Sequence, residues 1–215
     1  MTTHNDLSLH SFREVKGPNI QRSLFDLSHE HKTTFNSGYL VPIFVTEVLP
    51  GDTWKVNMTG VCRMATPLKP VMDNLFLETF FFYAPNRLLW SNWTKFLGEQ
   101  LNAGDSTSFI VPTLPITNAA LHSLADYFGI PPYVAGTLHA NTLHFRLYNK
   151  MWNEWFRDAN LQAAVGEYTG DGPDSAANFS LMKRGRRADY FTSCLPWPQR
   201  GTAQSMPLGT SAPIS

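Results

Sequence analysis

The sequence predicts a mainly β fold interrupted by helices, and three features carry that prediction. Apolar runs between Tyr39 and Ala84 have strand character, the quartet Leu49-Pro50-Gly51-Asp52 reads as a turn between two of them, and periodic apolar residues between Leu89 and Ala159 read as helices. Residues 39–48 are rich in Val, Ile and Phe. Pro50 then presets φ for one turn position and Gly51 supplies the positive φ of the next, a type II signal. In residues 53–64, Trp54, Val56 and Met58 alternate with Lys55, Asn57 and Thr59, the period of a strand with one buried face. Pro42 cannot donate to a ladder and belongs at an edge or bulge. Residues 74–84, with Phe80, Phe81 and Phe82 in succession, read as a strand buried on both faces.

Three helical stretches follow. Leu89, Trp90, Trp93, Phe96 and Leu97 repeat at helical spacing after Asn86 as cap, with Gly98 as stop. Leu121, Leu124, Ala125 and Phe128 share a face, capped by Thr117 or Asn118 and ended by Gly129 and Pro131. In the third, Tyr148, Met151, Trp152, Trp155, Phe156 and Ala159 form a wide apolar face opposite Arg146, Asn149, Lys150, Asn153 and Arg157. From Gly166 onward Gly, Pro, Asp, Ser and Thr dominate, which is loop chemistry. The first 35 residues show little periodicity and read as an extended N-terminal arm.

Composition narrows the function classes. The chain has 215 residues, is 43% hydrophobic and 13% aromatic, and carries only 16% Asp, Glu, Lys and Arg, against about a quarter charged in an average domain. Its 17 basic and 17 acidic residues cancel, so no global field holds nucleic acid or an anionic membrane, and any polyanion contact must be local. A ring-rich, charge-poor chain points to surface shared with other copies or with other parts of a larger chain. Cys62 and Cys194 are expected as free, buried thiols. The first twelve residues lack signal-peptide character, and the apolar run around Glu78 is too short to cross a bilayer, so no membrane partner is expected.

Chemistry-bearing clusters are few. His29 and His31 would share a face of a strand, as in metal-binding jelly-roll enzymes, but the glutamate such a site needs is replaced by Phe35 and Asn36; solvated histidines are the simpler reading. Glu167, Asp171 and Asp174 lack the order of a calcium loop and read as a polar surface loop. Neither a nucleophile elbow, a phosphate-cradling glycine loop nor a Cys-x-x-Cys pair is present, so neither a catalytic role nor a cofactor is expected. The run Lys183, Arg184, Gly185, Arg186, Arg187 beside Tyr190 and Phe191 has the chemistry to grip phosphates while rings stack on bases. The competing reading is a solvated loop, or a set of partners for carboxylates of a neighbouring subunit. The tryptophans of the third helix read as core or interface residues.

Several strings, in order from about residue 20 to 208, resemble the major capsid protein of microviruses, small single-stranded DNA phages, and specifically its gokushovirus branch. They include Arg22-Ser23-Leu24-Phe25-Asp26-Leu27-Ser28-His29, Lys32-Thr33-Thr34-Phe35, Leu40-Val41-Pro42, Thr46-Glu47-Val48-Leu49-Pro50-Gly51-Asp52-Thr53 and Pro85-Asn86-Arg87-Leu88-Leu89-Trp90. Further on stand Ser123-Leu124-Ala125-Asp126-Tyr127, Tyr148-Asn149, Trp152-Asn153-Glu154-Trp155-Phe156-Arg157-Asp158 and Asp189-Tyr190-Phe191-Thr192-Ser193-Cys194-Leu195-Pro196-Trp197-Pro198-Gln199-Arg200-Gly201.

The resemblance implies an antiparallel eight-stranded jelly-roll barrel with helical insertions. Members are much longer, so this chain is expected to be an N-terminal portion: an arm over 1–35, then part of one jelly-roll domain over 36–215, with a helical insertion at about 86–162 and a loop-rich segment at 163–215. It implies a virion protein, present in host cytoplasm during assembly, that forms pentamers and a closed 60-copy T=1 shell around single-stranded DNA. The implied partners are further copies, a small basic DNA-binding protein, an internal scaffolding protein and a pilot protein. Lys183, Arg184, Arg186 and Arg187 are the candidate DNA contacts; Trp90, Trp93, Trp152, Trp155, Phe156 and Trp197 are the candidate interface or insertion anchors. A carbohydrate-binding jelly-roll module, with exposed Trp stacking on sugars, is the competing class.

Overall fold

The computed structural model describes residues 21–159, 161–187 and 189–191. Trp197 and Cys194 lie outside these residues. The chain divides into two units, Met1–Thr33 and Thr34–Ser215. In the first, residues 21–33 are exposed and carry neither helix nor strand. Their contacts are local: Ser28 N–H donates to the Asp26 carboxylate at 2.9 Å, Lys32 pairs with Glu30 at 3.0 Å, and a ring nitrogen of His29 lies 2.8 Å from the Leu27 carbonyl.

Among its described residues the second unit is mostly non-helical, with one small antiparallel sheet. Its elements run from a 3-10 turn Asn86–Leu88 through α1 (Trp93–Phe96), β1 (Thr113–Thr117), α2 (Leu124–Tyr127), β2 (Thr137–Asn141) and α3 (Leu143–Met151). A π-helical turn, Trp152–Phe156, continues α3, and a 3-10 turn Ala176–Asn178 follows. No helix among the described residues is long and apolar enough to cross a membrane.

β1 and β2 pair in register from Thr113 opposite Asn141 to Thr117 opposite Thr137. They lie between the stretches read from sequence as helical, where no strand was expected. Leu114 and Ile116 of β1 turn inward by the two-residue period, against Ala119, Leu124, Phe145 and Tyr148. A second cluster joins Leu89, Trp90 and Leu143, with Trp93, Phe109 and Leu147 around it. Each large side chain removed from water in these clusters contributes about 1.5–3 kcal/mol.

Several local readings agree with the backbone. Gly51 has φ +85° and Asp52 N–H donates to the Leu49 carbonyl at 3.1 Å, closing the expected turn. Gly98 and Gly129 adopt the positive φ expected just beyond α1 and α2. The cap of α2, however, is Ser123, whose hydroxyl accepts from Asp126 N–H at 3.3 Å, rather than Thr117 or Asn118.

The long strands between residues 39 and 84 do not form ladders among the described residues. Leu40 N–H donates to Met182 O and Arg184 N–H to Gly38 O, a single bridge of Tyr39 with Lys183, and pairing stops before Pro42, which has no N–H. Leu75, Phe76, Leu77 and Phe80 to Tyr83 are exposed, so the reading of residues 74–84 as doubly buried is overturned. Cys62, expected to be buried, is exposed. The reason is common to all three: a strand buries its faces only when other chain segments flank it and satisfy its backbone.

The polar face of the third helix is also corrected. Arg146, Asn149 and Asn153 are buried, whereas Trp155 is 66% exposed. Arg146 Nε and Nη2 form a bidentate pair with the Asp174 carboxylate at 2.7 and 2.8 Å, and Nη1 donates to the Leu89 carbonyl at 2.9 Å. Asn149 donates to the carbonyls of Gly166 and Asn178, and Asn153 exchanges hydrogen bonds with the backbone of Val165. Residues 165–178, read as a surface loop, are a largely exposed strap whose Asp174 carboxylate and backbone carbonyls satisfy the helix's polar side.

Two outcomes follow. Expressed alone, residues 1–215 are expected to be insoluble or aggregated, because the extended segments expose apolar side chains and unpaired backbone; a sharp, reversible melt of a monomer in scanning calorimetry would refute this. In particles assembled from the phage protein carrying this sequence, Asp174→Ala leaves Arg146 buried without its carboxylate, a loss of about 3–5 kcal/mol, read as a lowered midpoint of thermal disassembly.

Candidate functional site

The basic run reaches its place through a close backbone approach. Gly185 N–H donates to the Phe156 carbonyl at 2.6 Å, at the C-terminal end of the π turn. A Cβ at position 185 would stand 2.9 Å from that oxygen and 2.8 Å from Asp158 N, so the glycine between the arginines is required by contact. The π turn itself is closed by Arg157 N–H donating to Trp152 O at 2.8 Å. Its five-residue hydrogen bond shifts the helical register, which accompanies the burial of Trp152 and Phe156 and the exposure of Trp155 between them.

An extended segment crosses this surface with a period of two. Phe76, Glu78, Phe80 and Phe82 all meet the region of the π turn and the basic run. Arg187 lies over the Phe76 ring at 5.6 Å, and Glu78 pairs with both Arg184, at 2.5 Å, and Arg187. Arg184 stands 5.8 Å from the Phe80 ring, and Phe80 and Phe82 meet Phe156 edge-on at 5.2 and 5.6 Å. Phe82 also packs against Trp155 at 6.4 Å. The alternation is that of extended chain; Phe80 and Phe82 are the more covered of its rings, while Phe76, Leu75, Leu77, Phe81 and Tyr83 stay well exposed.

The predicted DNA contacts are therefore already engaged in part. Lys183 Nζ lies 5.1 Å from the Tyr39 ring centroid, Arg184 and Arg187 share Glu78, and Arg186 pairs with Asp189 at 2.6 Å. Partners of the arginines come from this chain, where the sequence reading offered a neighbouring subunit. The Arg186 pair is open to water and of little energetic weight. Tyr190 and Phe191 pack on each other at 5.5 Å and remain exposed.

Among the predicted anchors, Trp90, Trp152 and Phe156 are buried within the second unit and Trp93 packs beside Trp90 at 6.3 Å. Trp152 Nε1 donates to Lys183 O at 2.7 Å, joining the helix to the basic run. Trp90 Nε1 donates to the Asp171 carboxylate at 2.8 Å, which also accepts from Asn92 and from Ile110 N–H. Sequence reasoning missed Glu78, Asp171 and Asp174 as clamps. For Glu78 a signal existed: a lone carboxylate in an apolar run, in step with Phe76, Phe80 and Phe82.

Hydrogen bonds from Trp90 and Asn92 hold the Asp171 carboxyl below its ordinary range. Burial raises Glu167, but hydrogen bonds from Asn153 and Lys150 outweigh it and leave that carboxyl lowered. Burial pushes the Tyr148 phenol up to about 12; its hydroxyl donates to Leu40 O and accepts from Met182 N–H, both at 2.9 Å.

A surface of exposed apolar side chains on extended chain, fastened to a small helical core, is one suited to packing against further protein surface. Comparison with known proteins gives the class its family. Residues 13–215 match the family described as capsid protein (F protein), and the chain belongs to that structural family. It is 47% identical over 208 residues to capsid protein VP1 of Bdellovibrio phage phiMH2K, covering 96% of this chain and 39% of that protein. It is 45% identical over 213 residues to capsid protein VP1 of Chlamydia phage 1, covering 88% and 36%. To capsid protein VP1 of Spiroplasma virus 4 the identity is 34% over 223 residues, covering 96% and 40%. The chain thus spans about two fifths of the length of these relatives.

Lowered carboxyl groups stabilise the fold above their unfolded pKa, and that stability is lost as pH falls through the folded value. In particles carrying this sequence, Asp171→Asn is expected to lower stability at neutral pH and to flatten the decline below about pH 4, measured as thermal midpoint against pH. An acid limb of unchanged steepness would remove Asp171 from this role.

Proposed function

We propose that this chain is part of the major capsid protein of a small icosahedral single-stranded DNA bacteriophage of the gokushovirus type, whose copies assemble into the T=1 shell that encloses the genome. The observation that carries this reading is the colinear family match over residues 13–215 together with relatives named as capsid proteins. The protein acts as a structural molecule, without cofactor or catalysis, and resides in the virion, with the host cytoplasm as its place of assembly.

Its work is geometric. Each subunit contact must bury on the order of 1,200–2,000 Å² to close a stable shell. The exposed strand-like segments between residues 40 and 84 are well supplied for this, with Phe81, Tyr83, Leu75 and Val61 among their exposed apolar residues. In the complete protein these segments join an eight-stranded antiparallel jelly roll, in which neighbouring strands satisfy their backbone. Trp90, Trp93, Trp152 and Phe156 act as anchors of the insertion within the subunit, as their packing supports.

The partners are further copies in pentamers and in the 60-copy shell, a small basic DNA-binding protein, an internal scaffolding protein and a pilot protein. A shell chain with zero net charge neutralises little phosphate by itself, which gives the basic protein its place. Lys183, Arg184, Arg186 and Arg187 supply a local contact to the packaged DNA.

The test is a charge placed on the outward side of the extended segment. Phe81→Asp in the intact phage protein is expected to abolish particle formation, with sedimentation showing only slow species. A normal yield of shells would overturn the assembly role of this segment.

A further inference from the structure

Asp171 and Gly172 form the single Asp-Gly pair of the sequence, which has no Asn-Gly pair. Each is fixed by its own packing requirement. The buried Trp90 indole needs an acceptor for its Nε1–H, and the Asp171 carboxylate supplies it at 2.8 Å while also accepting from Asn92 at 2.8 Å. At position 172 a Cβ would stand 2.7 Å from Pro112 Cα and 2.9 Å from Val111 O, so only glycine lets the strap approach the segment leading into β1. The two demands meet in adjacent residues. They produce the dipeptide whose aspartyl linkage rearranges most readily, since glycine has no Cβ to hinder attack by its nitrogen.

We propose that Asp171-Gly172 is a latent site of covalent self-modification, which isomerises to isoaspartate when the strap is undocked and is protected in the docked strap by hydrogen bonds from Trp90, Asn92 and Ile110. In the first step the Gly172 nitrogen attacks Asp171 Cγ. The N–Cγ bond forms, the nitrogen gives up its proton, and the protonated carboxyl loses its hydroxyl as water, leaving a five-membered succinimide. Water then adds at the main-chain carbonyl carbon of Asp171, and the bond from that carbon to Gly172 N breaks. The chain now runs through Cγ, one methylene longer, and the α-carboxylate stands free. Water lost in the first step is regained in the second, so no other reagent is needed.

The docked geometry opposes both partners of the first step. Ile110 holds them with its two backbone groups: its N–H donates to Asp171 Oδ2 at 3.2 Å, and its carbonyl accepts from Gly172 N–H at 3.2 Å. The proton of the nucleophile is thus engaged, and Trp90 and Asn92 hold the other carboxylate oxygen, Oδ1. Hydrogen bonds from Trp90 and Asn92 also keep the carboxyl ionised and acceptor-only, below its ordinary range, whereas departure of water requires the protonated form. Asp171 is itself exposed, so protection comes from these bonds and not from exclusion of water. Once formed, the isoaspartyl link moves the carboxylate away from Trp90 and lengthens the backbone at the tight contact of Gly172, so the modified strap no longer redocks. The linkage thereby limits how long a chain can wait unfolded and still reach its native fold.

The test follows isoaspartate at position 171 in the full-length phage protein, by peptide mapping with electron-transfer fragmentation, during incubation at neutral pH and physiological temperature. Protein held unfolded in denaturant is expected to accumulate it steadily, and the native protein to lag by at least about tenfold, the factor that one hydrogen bond to a charged group supplies. Asn92→Ala and Trp90→Phe, kept native, are each expected to close part of that gap; if Trp90→Phe does not fold, Asn92→Ala, which leaves the core intact, makes the comparison. After dilution from denaturant, the refolded fraction should be free of isoaspartate at 171 and the misfolded fraction enriched in it. Equal rates in native and unfolded protein, or native variants that match the unaltered protein, would overturn the protective clamp. An unfolded chain that stays aspartyl at 171 would overturn the site itself, and refolded protein carrying the isoaspartyl link would overturn the limit on refolding.

Discussion

One guanidinium, that of Arg146, holds the second unit together at the point where three of its parts meet. It lies on α3, grips the Asp174 carboxylate of the strap with two nitrogens, and donates its third to the carbonyl of Leu89 at the edge of the tryptophan cluster. A charge so placed is expensive to strand, because its desolvation has already occurred and only its partners compensate it. The arrangement fixes where the strap and the Leu89 segment can dock. An apolar residue of similar volume would fill the space but would specify neither partner.

The neighbouring polar groups extend the same constraint. Asn149 and Asn153 tie α3 to the strap backbone, and Asp171 ties the strap to the Trp90 indole, to Asn92 and to the backbone of Ile110. Helix, strap and tryptophan cluster therefore form one fastened base. Onto that base, through Gly185 and Trp152, the basic run is fixed with little freedom.

The extended segment opposite shows how a shell protein differs from a self-contained enzyme domain. Phe80 and Phe82 meet Phe156 and Glu78 pairs with the basic run, yet the segment as a whole, Phe76 included, keeps most of its apolar side chains exposed. In a monomer that face would be an aggregation hazard. The face matches a sequence poor in charge and rich in rings.

Local features of this chain were legible from residues alone. The turn at Pro50 and Gly51, the stops at Gly98 and Gly129, and the helical spacing around Tyr148 to Phe156 depend on φ preferences and on periodicities within a few residues. Family membership was legible too, because colinear strings preserve it without any geometry. What the tertiary structure decided was the use of those residues. It buried Arg146, Asn149 and Asn153, turned Trp155 outward, added β1 and β2 between the helical stretches, and made clamps of Asp171, Asp174 and Glu78. The physical reason is separation along the chain: Arg146 and Asp174 are 28 residues apart, Arg184 and Glu78 are 106 apart. A local pattern states that a side chain is charged or apolar. Only the folded chain determines which partner comes within reach of it.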